Sequence, residues 1–195
     1  FKENAGAGAE ILLKVAFSAV DMEGAHANLK VELPHWDFDR VREEARKAWE
    51  DALARVDVQG GTEAQRTIFY TALYHSLLIP YVNSDADGRY RGRDGKVYAL
   101  EGDKNYAGFS PWDTFRSLHP LLTLLYPGVQ RDMIRSLLRI YDQTGRLPSR
   151  PMTGNHALPI IADSWFKGIR DFGIEKAYQA MHRDLMEKEF IRRDR

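Results

Sequence analysis

Residues 112–119 set Trp112, Asp113, Arg116 and His119 within about two helical turns, just ahead of an apolar run. Charged side chains are seldom buried without a partner, so a segment that only filled a core would not place an Asp and an Arg beside its Trp. Together these groups suit a polyhydroxylated ligand. The indole covers the apolar face of a sugar ring, while carboxylate and guanidinium take its hydroxyls. The same stretch also reads as a helix start: Ser110 is a candidate N-cap, Pro111 fits the first helical position, and Asp113 stands where a capping box needs its acid. That reading accounts for Ser110, Pro111 and Asp113 and leaves Trp112, Arg116 and His119 over. Both readings stay open. Arg116 has a structural alternative as an ion-pair partner of Asp113, and His119, just before Pro120, has one as a packing residue.

The elements that must position this segment are mostly helical. Three- and four-residue spacing of Val41, Ala45, Ala48, Trp49 and Ala52 predicts a helix over 37–56 with Asp37 as N-cap. A second helix is predicted over 62–78, capped by Thr62 and stopped by Pro80. Residues 83–100 alternate charge, Gly and Tyr around Asp94-Gly95, which predicts a hairpin with a two-residue turn. Its Arg89, Tyr90, Arg91 and Arg93 suit either a rim beside a ligand site or, more commonly, a solvated surface. Four further helices are predicted over 111–126, 128–143, 158–171 and 174–190, punctuated by Pro127-Gly128, Gly145 and Gly173. Short connections between them imply antiparallel neighbours. The last helix carries Ile174, Ala177, Tyr178, Met181 and Leu185, an apolar stripe that calls for a following partner. Upstream, Leu13, Val15, Phe17 and Ala19 alternate with Lys14, Ala16 and Ser18, which predicts a strand over 10–21. A lone strand is not stable, so its sheet partners must lie elsewhere. Asp163, inside an apolar run, is expected to be buried. Residues 83–88 mimic the start of a calcium loop but lack its bidentate Glu, and read as a turn.

Composition narrows the partners. Lys and Arg together number 28 and Asp and Glu 28, so nothing favours a polyanionic partner; nucleic acid and anionic membrane are disfavoured. No apolar run is long enough to span a bilayer. The absence of cysteine removes disulfides and thiol chemistry. The chain opens on Phe1 and stops in charged helical text, so both ends read as cut.

Three phrases occur in order: FSxWDTFRxxHPLLTLxxP from Phe109, SLLxxYxQxGxLP from Ser136, and PxIADxxxKGI from Pro159. Together they resemble glycoside hydrolase family 92, the calcium-dependent exo-acting α-mannosidases. The resemblance extends over essentially the whole chain and implies a mainly α fold. Residues 1–31 would end an N-terminal β-sandwich, with a remnant strand of that sheet. Residues 32–61 would form a linker helix, and residues 62–195 the first half of an (α/α)6 barrel of antiparallel helical hairpins. The implied function is part of an enzyme that removes terminal α-linked mannose, with α-1,2 linkages the expected target, from glycans by an inverting mechanism. Secretion or a periplasmic location is implied with it.

The same resemblance implies that Trp112 and Asp113 line the subsite for the terminal mannose, with Arg116 orienting Asp113. Asn155 and His156, in a loop shorter than many relatives carry, would contact the sugar if that loop faces the pocket and would otherwise cap the following helix. An inverting glycosidase needs a carboxylic acid and a carboxylate base about 6.5–9.5 Å apart. That pair and the calcium ligands are expected outside this chain, so no catalytic or metal-binding residue is assigned within it. Two other readings compete: a non-catalytic helical carbohydrate-binding or interaction module, and an (α/α)6 enzyme of different chemistry.

Overall fold

The computed structural model describes residues 12–149 and 154–186. Its framework is a set of helices into which one β-insertion is spliced. α1 (Met22–Glu32) starts where the Asp21 carboxylate accepts from the Gly24 amide at 2.7 Å. α2 (Phe38–Leu53) is capped by Asp37, as its sequence predicts. α3 (Glu63–Ser76) opens on a reciprocal capping box between Thr62 and Gln65. The two pair through Trp49 and Tyr74, whose rings meet edge to face with centroids 4.5 Å apart.

The insertion holds two nested antiparallel pairs. β1 (Tyr81–Val82) pairs with β4 (Tyr106–Ala107), and inside them β2 (Arg89–Arg91) pairs with β3 (Val97–Ala99) in the register Tyr90 opposite Tyr98. The predicted hairpin is there, but its turn is longer than two residues. The Gly95 amide donates to Gly92 O and the Gly92 amide to Lys96 O, with Gly95 at φ 81°. This is a four-residue turn over 92–95 whose last residue is the left-handed Gly95, which sets Asp94-Gly95 late in the loop rather than at its centre. The hairpin is largely a solvated surface, with Arg91 and Arg93 exposed and Tyr90 buried, and it is tied down at several points. Arg91 donates to the carbonyls of Ala19 and Val20, Arg89 pairs with Asp21 and Asp87, and Gln143 joins Tyr90 and Arg93 to the helical layer.

Those contacts replace the predicted strand. Residues 10 and 11 of that strand lie outside the described residues; residues 12–20 form no ladder and bend at 19–20 beside the insertion, while 22–32 coil into α1. Alternation alone cannot make a strand without a facing edge. A polar clasp holds the segment instead: the buried Asp85 carboxylate accepts from Ser18 Oγ at 2.6 Å and Asn28 Nδ2 at 2.8 Å, and Asn28 Oδ1 accepts from the Ala86 amide. Residues 85–88 thus form the predicted turn, closed by the Gly88 amide on Asp85 O.

The helical core follows. α4 (Pro111–Thr114) and α5 (Leu118–Leu125) divide what reads as one helix. Pro120 has no amide to bond back across the turn, so helix continues only if it restarts with the proline in its first turn. α6 (Pro127–Thr144) ends on left-handed Gly145, and α7 (Ala157–Phe166) and α8 (Ile174–Met186) complete the layer. Leu122, Ile134, Leu137, Ile160, Ile161, Ala177 and Ala180 are all but sealed from solvent between these helices, each large one contributing about 1.5–3 kcal/mol by burial. In α8 the inward stripe is Ile174, Ala177, Ala180, Met181 and Asp184, whereas Tyr178 and Leu185 face out. Residues 187–190 of the predicted last helix lie outside the described residues.

Candidate functional site

Trp112 and Asp113 lie on the single turn of α4, and both are exposed, Trp112 by 43%. Ser110 does not cap the helix through its side chain. Its hydroxyl donates to the Asp113 carboxylate instead, so the predicted capping box is absent. Asp113 and Arg116 form no ion pair among the described residues. Arg116 lays its guanidinium 5.0 Å from the centre of the Phe115 ring, a cation–π contact worth about 0.5–1 kcal/mol at an exposed site.

The same Phe115 ring meets His156, with centroids 4.5 Å apart and planes tilted by 40°. Residues of α4, the turn after it and the loop before α7 therefore share one neighbourhood, with Phe115 between Arg116 and His156. His156 is half-buried; its Nδ1 is sealed and unpartnered, so any ligand contact by this ring uses Nε2. Asn155 donates through Nδ2 to Asp184 at 2.7 Å, leaving a sealed Oδ1 without a partner. Asp184 also accepts from the Leu147 amide at 3.1 Å.

His119 stands apart from this cluster, 1% exposed inside the helical layer. A directional chain fixes its tautomer. Ser164 Oγ donates to Ile160 O, Gln130 Nε2 donates to Ser164, and Gln130 Oε1 is therefore an acceptor that Nδ1–H of His119 must satisfy at 2.9 Å. Burial holds this imidazole below its ordinary pKa, opposed by the Gln130 bond. Asp163 is not buried as expected: it is 39% exposed and pairs with Lys167 one turn on, because the apolar residues beside it turn inward and it does not. Asp142 pairs with Lys176. No group of three or more His, Asp or Glu among the described residues is placed to hold a metal ion, and no helix is long and apolar enough to cross a membrane.

Sequence reasoning missed Phe115 and Asp184. Phe115 lies within the charged aromatic cluster, but an aromatic residue in such a segment carries no signal of which distant side chain it will meet. Asp184 follows Ala177 and Ala180 at helical spacing, a signal that its carboxylate turns inward with them.

Residues 24–194 match the glycosyl hydrolase family 92 catalytic domain. The chain belongs to glycoside hydrolase family 92. Its fold superposes on a family GH92 α-mannosidase from Bacteroides thetaiotaomicron with a TM-score of 0.83 and 35% identity, over 89% of this chain and 24% of that one. The same enzyme in complex with mannoimidazole gives 0.84. A family GH92 inverting mannosidase of the same organism gives 0.80 at 34% identity, over 87% of this chain and 24% of that one. An uncharacterized secreted glycosidase of Arthroderma benhamiae is 25% identical over 94% of this chain and 21% of its own length. The chain thus spans under a quarter of the length of these relatives, and its mainly helical layer corresponds to part of the GH92 (α/α)6 domain.

Proposed function

We propose that this chain supplies scaffold and sugar-gripping residues to an exo-acting α-mannosidase that trims terminal α-linked mannose, α-1,2 linkages first, from glycans with inversion and with calcium. The observation that carries the reading is the 35% identity and TM-score of 0.84 to an α-mannosidase held with mannoimidazole. In this reading the exposed Trp112 indole covers the apolar face of the terminal sugar. The Asp113 carboxylate accepts from its hydroxyls, a charge-assisted bond of about twice neutral strength. Arg116 and His156, brought together on Phe115, flank it, His156 through Nε2. The calcium ligands are taken to come from elsewhere in the enzyme, as family membership implies. The acid that protonates the leaving oxygen and the base that activates water are taken to come from there too. Residues 1–31, 32–61 and 62–195 are assigned to the end of a β-sandwich, a linker and the first half of the barrel. The enzyme is assigned to the secreted or periplasmic space, as the name of the Arthroderma relative suggests.

The test uses the protein at its native length with α-1,2-mannobiose, with calcium or with chelator, and follows the anomer first released by proton NMR. Calcium-dependent release of β-mannose is the expected result. Release of α-mannose would refute inversion, release unaffected by chelator would refute the calcium requirement, and no mannose release would refute the function.

A further inference from the structure

The loop joining α6 to α7 carries Asn155 and His156, and one carboxylate ties both of its ends. Asp184 Oδ2 accepts from the Leu147 amide just after the Gly145 stop and from Asn155 Nδ2 just before α7. Asp184 belongs to a third element, α8, where it is buried in the stripe with Ala177 and Ala180. An ionised carboxylate only accepts. It therefore orients the Asn155 amide with its nitrogen inward, and fixes the backbone that leads directly into His156. His156 receives no hydrogen bond of its own from a described residue. Its ring is located by the Phe115 face at 4.5 Å and by the backbone on which it stands. Gly154 stands close beside it: a Cβ there would lie 2.8 Å from His156 Cε1.

We infer that Asp184 is a positioning residue for sugar binding, which acts through Asn155 to seat His156 against Phe115. The inference rests on the mannosidase reading for its consequence and on the hydrogen bonds alone for its geometry, and the two are tested separately. A buried carboxylate that takes Leu147, just after α6, and Asn155, just before α7, on one oxygen is more than a helix-surface acid needs. Among the described residues, what it holds is the segment 155–156, which the Phe115 ring joins to the turn that carries Trp112, Asp113 and Arg116.

The experiment uses the native-length protein with its histidines labelled with nitrogen-15, as wild type, Asp184→Asn, Asn155→Ala, His156→Ala and the double variant Asp184→Asn with His156→Ala. The first readout is the His156 imidazole resonance, identified by its loss in His156→Ala and displaced in the wild type by the Phe115 ring current. It should move toward the value of an unstacked histidine in both Asp184→Asn and Asn155→Ala. The second is kinetics on an aryl α-mannoside. KM should rise roughly ten- to a hundredfold, as a binding group displaced by about an ångström would cause, with kcat changed far less. In the His156→Ala background, Asp184→Asn should add little, because residues acting in one line are not additive. An unmoved His156 resonance in Asn155→Ala overturns the inference even if Asp184→Asn fails to fold. Equal losses from Asp184→Asn with and without His156 overturn it too, since a general loss of stability is additive. A wild type that releases no mannose while the resonance still moves would sink the functional reading and leave the positioning intact.

Discussion

At the residue scale, Asp113 and His119 divide the charged cluster into a surface part and an interior part. Asp113 is open to solvent and, among the described residues, its carboxylate holds only the Ser110 hydroxyl. A residue serving merely as helix start would cost about 1 kcal/mol when removed. If it grips the sugar, Asp113→Ala should lose several kcal/mol of transition-state stabilisation, read as a fall of two or more orders of magnitude in kcat/KM of the native-length enzyme. Unchanged kinetics would return Asp113 to the helix start. His119 makes the opposite prediction, about stability. Its unfolded value is near 6.5 and burial lowers the folded one, so below 6.5 the unfolded chain takes up a proton that the native state refuses. Stability is therefore full above 6.5 and declines as pH falls toward the folded value, by up to about 1.4 kcal/mol between pH 7.5 and 5.5. The carboxylates that arginines hold low, among them Asp21, Glu43 and Glu44, titrate well below that window. Urea unfolding at the two pH values should show this loss in wild type and a smaller one in His119→Asn, which keeps a donor for Gln130. An identical loss in both would mean that another group titrates.

At the element scale, the helix caps were the legible part. Asp37 and Thr62 announce α2 and α3 by side chains that satisfy free amides within three residues, a purely local signal. The motif order likewise gave the family, because it is carried by contiguous text. What sequence could not show depends on distant partners. Residues 12–20 have the alternation of a strand, yet whether they become one depends on an edge to pair with, and here they meet Asp85 and Arg91 instead. β1 and β4 are two residues each, with 23 residues between them, too short for any periodicity. Within the candidate site, the Trp112 to Arg116 composition was visible, but the Phe115 ring that joins it to His156 was not. The clasp on the amino-terminal segment carries its own prediction. A Cβ on Gly24 would stand 2.7 Å from Ser18 Oγ and collide with the Asp85 carboxylate. Gly24→Ala should cost about 1–3 kcal/mol of local stability by overpacking. Hydrogen exchange should accelerate at the Ala86 and Val20 amides while the amides of α6 keep their protection. Uniform acceleration, or none, would show that the clasp is not an independent unit.

At the scale of the whole molecule, the helices seal a core and leave several large apolar side chains exposed. Ile134, Leu137, Ile160 and Ile161 are sealed, yet Phe166 is 84% exposed and Leu124 77%, and Tyr178, Leu185, Met186 and Ile68 are exposed with them. Soluble monomers rarely show contiguous apolar patches beyond a few hundred Å², and the solved relatives are roughly four times as long as this chain. Residues 1–195 expressed alone should therefore self-associate, with light scattering that rises with concentration and falls in the double variant Leu124→Lys with Phe166→Lys. They should also release no mannose from α-mannosides at enzymatic rates, even with calcium. In the proposed reading the acid and the base lie outside these residues, and the lack of each removes roughly 10²–10⁴-fold; Asp142 pairs with Lys176, Asp163 with Lys167, and Asp184 accepts from Leu147 and Asn155. Brisk calcium-dependent turnover by a monodisperse preparation would contradict both expectations at once. Asp113, Asp142 and Asp163 would then be the first carboxylates to replace, because each is open enough to meet a substrate and each could be freed from its partner by a single proton transfer or side-chain rotation.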